Sequence, residues 1–294
     1  MLKTARILPL CLLIVAAALP TRVASQQGAT TSGDDLQITP DVVYGHKDGM
    51  ALTFDVLRPA NAHGGAVLYM VSGGWVSRWG PPQRLAGRSF SGLLEKGLTV
   101  IAVRHGSAPR YKVPEAEADV RRALRFVRLH AAGLGVDADR LGVFGGSAGG
   151  HLSLMLGLGS DEGEQDSSDE VLRTPARVAA VVAYYPPVDL RPIVGPSERF
   201  PALDFPREQA ASISPILFVT PDDPPILLIH GDADTLVPIS ASEVMFAALQ
   251  AEDVESEFIT IAGGDHGFRN RDHRDRAQAA MVAWFDGHLA PGGR

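Results

Sequence analysis

From about residue 66 onward, short near-continuous apolar runs alternate with longer stretches whose apolar residues recur every three or four positions. The runs are 66–71 (AVLYMV), 98–103 (LTVIAV), 141–144 (LGVF), 179–184 (AAVVAY), 225–229 (PILLI) and 256–261 (SEFITI). Most are apolar on both faces, which predicts parallel strands covered on both sides. Between them, 114–131 places Val120, Ala123, Leu124 and Val127 on one helical face behind a starting Pro114, the pattern of an amphipathic helix. Residues 147–158, 240–250 and 274–288 also read as helices. Ahead of this alternation, 42–44 and 52–57 predict two strands joined across His46-Lys47-Asp48-Gly49. The sum is an α/β domain over 41–290: one open, mostly parallel sheet with helices on both faces, led by an antiparallel hairpin.

Two stretches break the alternation. The acidic run 160–170 (SDEGEQDSSDE) reads as a solvated surface loop. Residues 191–223 are proline-rich and lack a period. A stretch that long inside a compact domain is usually functional, so it is a candidate cover for a site.

The N-terminus changes the picture. Lys3 and Arg6 precede the apolar run 7–19, and Val23-Ala24-Ser25 offers small residues for cleavage, which together predict a signal peptide over 1–25. The run is shorter than the roughly 18 to 20 residues of a membrane span. The expectation is therefore a secreted or periplasmic chain with no membrane association after cleavage, beginning with a disordered polar linker over 26–40, with an uncleaved N-terminal anchor as the alternative. The only cysteine, Cys11, lies inside the signal, so the mature chain has no disulfide, no thiol nucleophile and no cysteine-ligated metal. Removing Lys3, Arg6 and Arg22 takes the net charge from −7 to −10, which argues against nucleic acid as a partner. No His/Asp/Glu cluster has metal-ligand spacing, and neither a metal nor another cofactor is expected.

The candidate chemistry centres on Val143-Phe144-Gly145-Gly146-Ser147-Ala148-Gly149-Gly150-His151-Leu152. The dinucleotide pattern G-x-G-x-x-G fails here in every register. The phosphate-loop pattern fits Gly145 and Gly150 but then finds His151 and Leu152 where Lys and Ser/Thr are needed. G-x-S-x-G fits, directly after a strand and before a helix, where a serine on a sharp turn needs small neighbours. A serine hydroxyl also needs a base and an acid that orients it. His230-Gly231-Asp232-Ala233-Asp234 follows the strand at 225–229, and Gly264-Asp265-His266-Gly267 follows the last strand. Both loops lie at strand C-terminal ends, where such sheets place ligands.

These residues resemble the α/β-hydrolase superfamily, within the esterase/lipase and prolyl-oligopeptidase-like branch that includes acetylesterases and feruloyl-esterase-like proteins. "HGDADTLVP" is similar to the family's acid loop and "GGDHGF" to its histidine loop. The resemblance implies a triad of Ser147, Asp234 and His266, with Asp232 the lesser choice of acid. It implies an oxyanion hole from the N–H of Ala148 and of Gly73 or Gly74, in a loop that lacks the histidine of the usual His-Gly-Gly-Gly. Trp75, His105 and Tyr185 are candidate substrate contacts, while His151 and His230 read as structural. The implied function is hydrolysis of carboxylic esters, with acetyl or feruloyl esters of carbohydrates as candidate substrates. A prolyl-oligopeptidase-like peptidase and a non-catalytic binding protein on the same fold are the alternatives.

Overall fold

The computed structural model describes residues 30–31, 35–88 and 90–292; the predicted signal peptide lies outside them. Strand β1 (Thr30–Thr31) pairs with β2 (Leu36–Lys47), which turns back into β3 (Met50–Pro59). Lys47 pairs with Met50, so Asp48 and Gly49 alone make the turn, at φ 47° and 81°. Two positive φ values match the right-handed twist of paired strands, and Asp-Gly is a dipeptide that tolerates them. Strand structure thus reaches back into the segment expected to be a disordered linker. The reason is Ile38, fully buried in one core cluster with Leu57, its partner across the hairpin.

The chain continues through β4 (Ala66–Met70), α1 (Pro82–Arg88), α2 (Ser91–Glu95), β5 (Thr99–Val103), α3 (Val113–Leu129), α4 (Ala131–Leu134) and β6 (Leu141–Gly146). It then forms α5 (Ala148–Leu158), α6 (Glu170–Arg173), β7 (Ala180–Tyr184), β8 (Ile226–Gly231), α7 (Ser240–Ala251), β9 (Ser256–Ile261) and α8 (Arg271–Leu289). Across the sheet the strands run β1-β2-β3-β5-β4-β6-β7-β8-β9. Pairing is antiparallel as far as β3·β5 and parallel from β5 to β9. The chain steps from β4 to β5 on one side and back to β6 on the other. That reversal opens a crevice at the C-terminal ends of β4 and β6, where open α/β sheets bind ligands.

Apolar clusters pack on both faces. One joins Val120, Leu124 and Val127 of α3 to α5 and to Met245 and Leu249 of α7. The other joins Phe90 and Leu93, beside and within α2, to Met281 and Phe285 of α8. Every residue of α5 is buried, as a helix apolar all round must be. Helices α1 and α2 escaped the sequence reading because they are too short to display a period. Among the described residues no helix is long and apolar enough to cross a membrane.

The acidic run lies at the surface as expected, with some of its carboxylates anchored. Asp161 pairs with Arg125 at 2.5 Å and Arg121 at 3.1 Å, and Asp169 pairs with Arg122 at 2.6 Å, all three arginines lying on α3. These two carboxylates face arginines of α3 that the local sequence of 160–170 does not reveal. Residues 191–223 fold as short 3₁₀ turns packed into the body, burying Val194, Ala202, Leu203, Ala210 and Ile213. The buried Ser214 hydroxyl donates to the Ala210 carbonyl at 2.7 Å and accepts from the Leu190 N–H at 2.9 Å.

Candidate active site

Ser147 sits between the end of β6 and the start of α5 at φ 55°, ψ −120°. For a residue with a Cβ this conformation costs on the order of 1–3 kcal/mol and persists only where the surroundings fix it. Here the Ser147 N–H donates to the Tyr184 carbonyl at 2.9 Å, and the His151 N–H donates to the Ser147 carbonyl at 2.9 Å. The neighbouring glycines serve close approach. A Cβ on Gly145 would lie 2.5 Å from the Gly149 backbone, and one on Gly146 would lie 2.8 Å from the Tyr185 hydroxyl. Ala148 opens α5, so its N–H is among the four that a helix leaves without an internal acceptor.

Asp234 and His266 meet across the loops after β8 and β9. The His266 Nδ1 lies 2.7 Å from Asp234 Oδ2, and the Asp234 side chain is completely buried. Its other oxygen, Oδ1, accepts the Leu236 and Val237 N–H groups at 2.8 and 3.0 Å. A carboxylate can only accept, so Nδ1 carries the proton in this bond and leaves Nε2 as a free lone pair. Asp232 goes elsewhere: its Oδ1 accepts the Gly263 N–H at 2.6 Å and staples the two loops together. Gly231 and Gly264 touch backbone to backbone beneath them, at a spot where a Cβ would collide.

Tyr185 follows β7 and holds a positive φ of 37°. Its ring lies 4.6 Å from the His266 ring and 5.2 Å from that of Phe268, and its hydroxyl faces Gly146. It therefore separates and supports the serine turn and the histidine. Burial raises its phenol pKa, keeping the hydroxyl protonated.

The loop after β4 completes the crevice. Gly73 and Val76 exchange N–H···O bonds at 3.1 Å, so the Gly73 N–H is already engaged. Gly74, at φ 59°, packs against Phe200 from the 191–223 segment. The structure turns Trp75 and His105, expected as candidate substrate contacts, into the interior. Trp75 is only 4% exposed, and its indole N–H donates to His151 Nδ1 at 3.3 Å. His105, also buried, places Nδ1 2.7 Å from the Gly106 carbonyl and Nε2 2.8 Å from the Ser72 hydroxyl. It braces the glycine loop from below, a support the sequence left without a candidate once the usual histidine was missing. Phe200 was not foreseen, because no period marks its segment.

His105, His151 and His230 are all held neutral. Burial lowers each pKa, for His151 to about 4. His230 sits with Nε2 2.9 Å from the Val237 carbonyl and Nδ1 2.8 Å from the Ser242 hydroxyl, bracing the acid loop. With folded pKa values below that of an unfolded histidine, the unfolded chain binds more protons as pH falls. The stability they contribute is whole above about pH 6.5 and is lost as pH drops toward the folded values. For His151 the loss is about 3 kcal/mol by pH 4. Urea midpoints are therefore expected to fall over pH 6.5 to 4, and less steeply in a His151→Gln protein. Identical slopes in the two proteins would contradict a neutral buried His151.

The comparisons with known proteins bear on the fold and the family. The BD-FAE family profile matches residues 54–249. Esterase LipQ of Mycobacterium tuberculosis is 30% identical over 246 residues, covering 78% of this chain and 57% of LipQ. The chain spans about half the length of the curated relatives it matches. Among solved structures, a truncated carbohydrate esterase from gut microbiota superposes with a TM-score of 0.69 at 27% identity, covering 88% of this chain and 99% of that one. Esterase Est2 of the planctomycete Thermogutta terrifontis gives 0.69 at 26% identity, covering 86% and 94%. The chain belongs to the BD-FAE family, and with it to the α/β-hydrolase superfamily.

Proposed function

We propose that the protein is a secreted or periplasmic serine carboxylesterase with Ser147, His266 and Asp234 as its triad. The observation that carries this reading is the His266–Asp234 bond of 2.7 Å to a fully buried carboxylate, on the same sheet edge as the strained Ser147. The His266 Nε2 lone pair takes the hydroxyl proton as Ser147 Oγ bonds to the ester carbonyl carbon. The carbonyl oxygen becomes an oxyanion. The imidazolium then protonates the leaving alcohol as the tetrahedral intermediate collapses to an acyl-serine. Water enters by the same route and releases the acid.

Two main-chain donors stabilise the oxyanion, Ala148 N–H and Gly74 N–H. Gly74 takes this role because the Gly73 N–H is held by Val76. Acetyl and feruloyl esters of carbohydrates are the substrate classes to test first, given the carbohydrate esterase among the neighbours. The purified mature chain is expected to turn over p-nitrophenyl acetate and acetylated xylo-oligosaccharides, and to leave a prolyl p-nitroanilide intact. Cleavage of the prolyl peptide without ester turnover would assign a peptidase instead. Failure on every ester, with Ser147 unreactive to a fluorophosphonate, would leave a binding protein on a hydrolase fold.

A further inference from the structure

His151 has no part in the proton transfers above, yet it is completely buried and joins three separate pieces of the site. It lies one turn into α5, the helix whose first N–H belongs to Ala148. Its Nδ1 accepts from the indole of Trp75, the residue that follows Gly74, at 3.3 Å. Its Nε2 lies 2.8 Å from the carbonyl of Ile213, in the segment that also sets Phe200 against Gly74. An indole N–H can only donate and a carbonyl can only accept, so the partners permit one tautomer of a neutral ring. The Trp75 and His151 rings also meet edge to face, with centroids 5.5 Å apart.

The geometry around Trp75 shows why such a tether matters. Gly74 and Trp75 both have positive φ, 59° and 56°. The Gly73–Val76 bonds close this turn, and a tryptophan holds positive φ where its surroundings fix it, here with the side chain anchored as well. With the indole released, those two backbone bonds would be left to hold the direction of the Gly74 N–H.

We infer that His151 is a positioning residue for the oxyanion hole, holding Trp75 so that the Gly74 N–H stays aligned with the Ala148 N–H. This rests on the esterase reading. The hydrogen bond links the two oxyanion donors through side chains, where the sheet links them only through β4 and β6.

Trp75→Phe deletes the N–H and retains an aromatic ring. It is expected to lower kcat by about 10- to 100-fold, below or near the loss of one oxyanion donor, with KM within about threefold. The affinity for a boronic acid, whose adduct places an oxygen in the oxyanion hole, should fall by the same factor as kcat/KM. A purely structural defect would lower Tm without that correspondence. His151→Leu should behave like Trp75→Phe, while His151→Gln, which keeps an acceptor and a donor on one amide, should recover most of the activity. If the His151 proteins do not fold, Trp75→Phe decides alone. A folded Trp75→Phe protein with kcat within about twofold of wild type, or with unchanged boronate affinity, overturns the inference. Absence of turnover in the wild type overturns the esterase reading instead.

Discussion

Replacing Ser147 by alanine is expected to lower kcat for p-nitrophenyl acetate by about 10⁴-fold or more. The residue that remains cannot form the acyl intermediate, while the oxyanion donors and the binding surface stay in place and account for the residual rate. Stability should change by no more than about 1 kcal/mol, since Ser147 is only partly buried and the strained turn is held by backbone bonds and glycine contacts. A fluorophosphonate probe provides a second readout. It should label the wild-type protein at Ser147 and leave the alanine variant unlabelled. Equal labelling of both proteins, or an alanine variant within tenfold of wild type, would remove Ser147 from the mechanism.

Asp234→Asn is expected to be almost as damaging, at about 10⁴-fold in kcat near neutral pH. The reason lies in the two oxygens. Oδ1 is held as acceptor by the Leu236 and Val237 N–H groups, so the asparagine oxygen must occupy that position. Its NH₂ then points at His266 Nδ1, which has to become an acceptor. The imidazole proton moves to Nε2, and the base has no lone pair to offer Ser147. Activity should recover partly at high pH, where serine deprotonation needs less help, and kcat/KM against pH is the measurement. Asp232→Asn is the control: its oxygen can still accept from Gly263, and a loss below tenfold is expected. A mild Asp234→Asn and a severe Asp232→Asn would exchange their roles.

The parts of the site that were legible in the sequence are those whose chemistry is local. Ser147 announces itself because a sharp strand-to-helix turn excludes Cβ atoms on both sides, and that requirement is written into four flanking glycines. Asp234 and His266 follow apolar strands within glycine-containing loops, so their place at the sheet edge could be read from the strand pattern. Trp75 and His105 could not be placed this way. Whether an aromatic side chain beside a glycine loop points out to substrate or inward to a buried histidine depends on α5 and β5, which are distant in sequence. The same holds for the acidic run, whose arginine partners sit on α3, and for residues 191–223. Their 3₁₀ turns are fixed by packing rather than by a repeating pattern, so the sequence carries no period there.

The place of β7 between β6 and β8 has a consequence for how far this scaffold can vary. Ser147 follows β6 and Asp234 follows β8, so the proposed nucleophile and acid are tied to strands about 10 Å apart, two strand spacings. His266 comes from beyond β9 and reaches back over β8, which the bare contact of Gly231 with Gly264 permits. An imidazole has one length, and it must span what the sheet pitch dictates while Tyr185 fills the floor beneath it. Loops around the crevice can be lengthened, shortened or exchanged to suit new esters. The dimension that cannot drift is the two-spacing gap that β7 fills between β6 and β8.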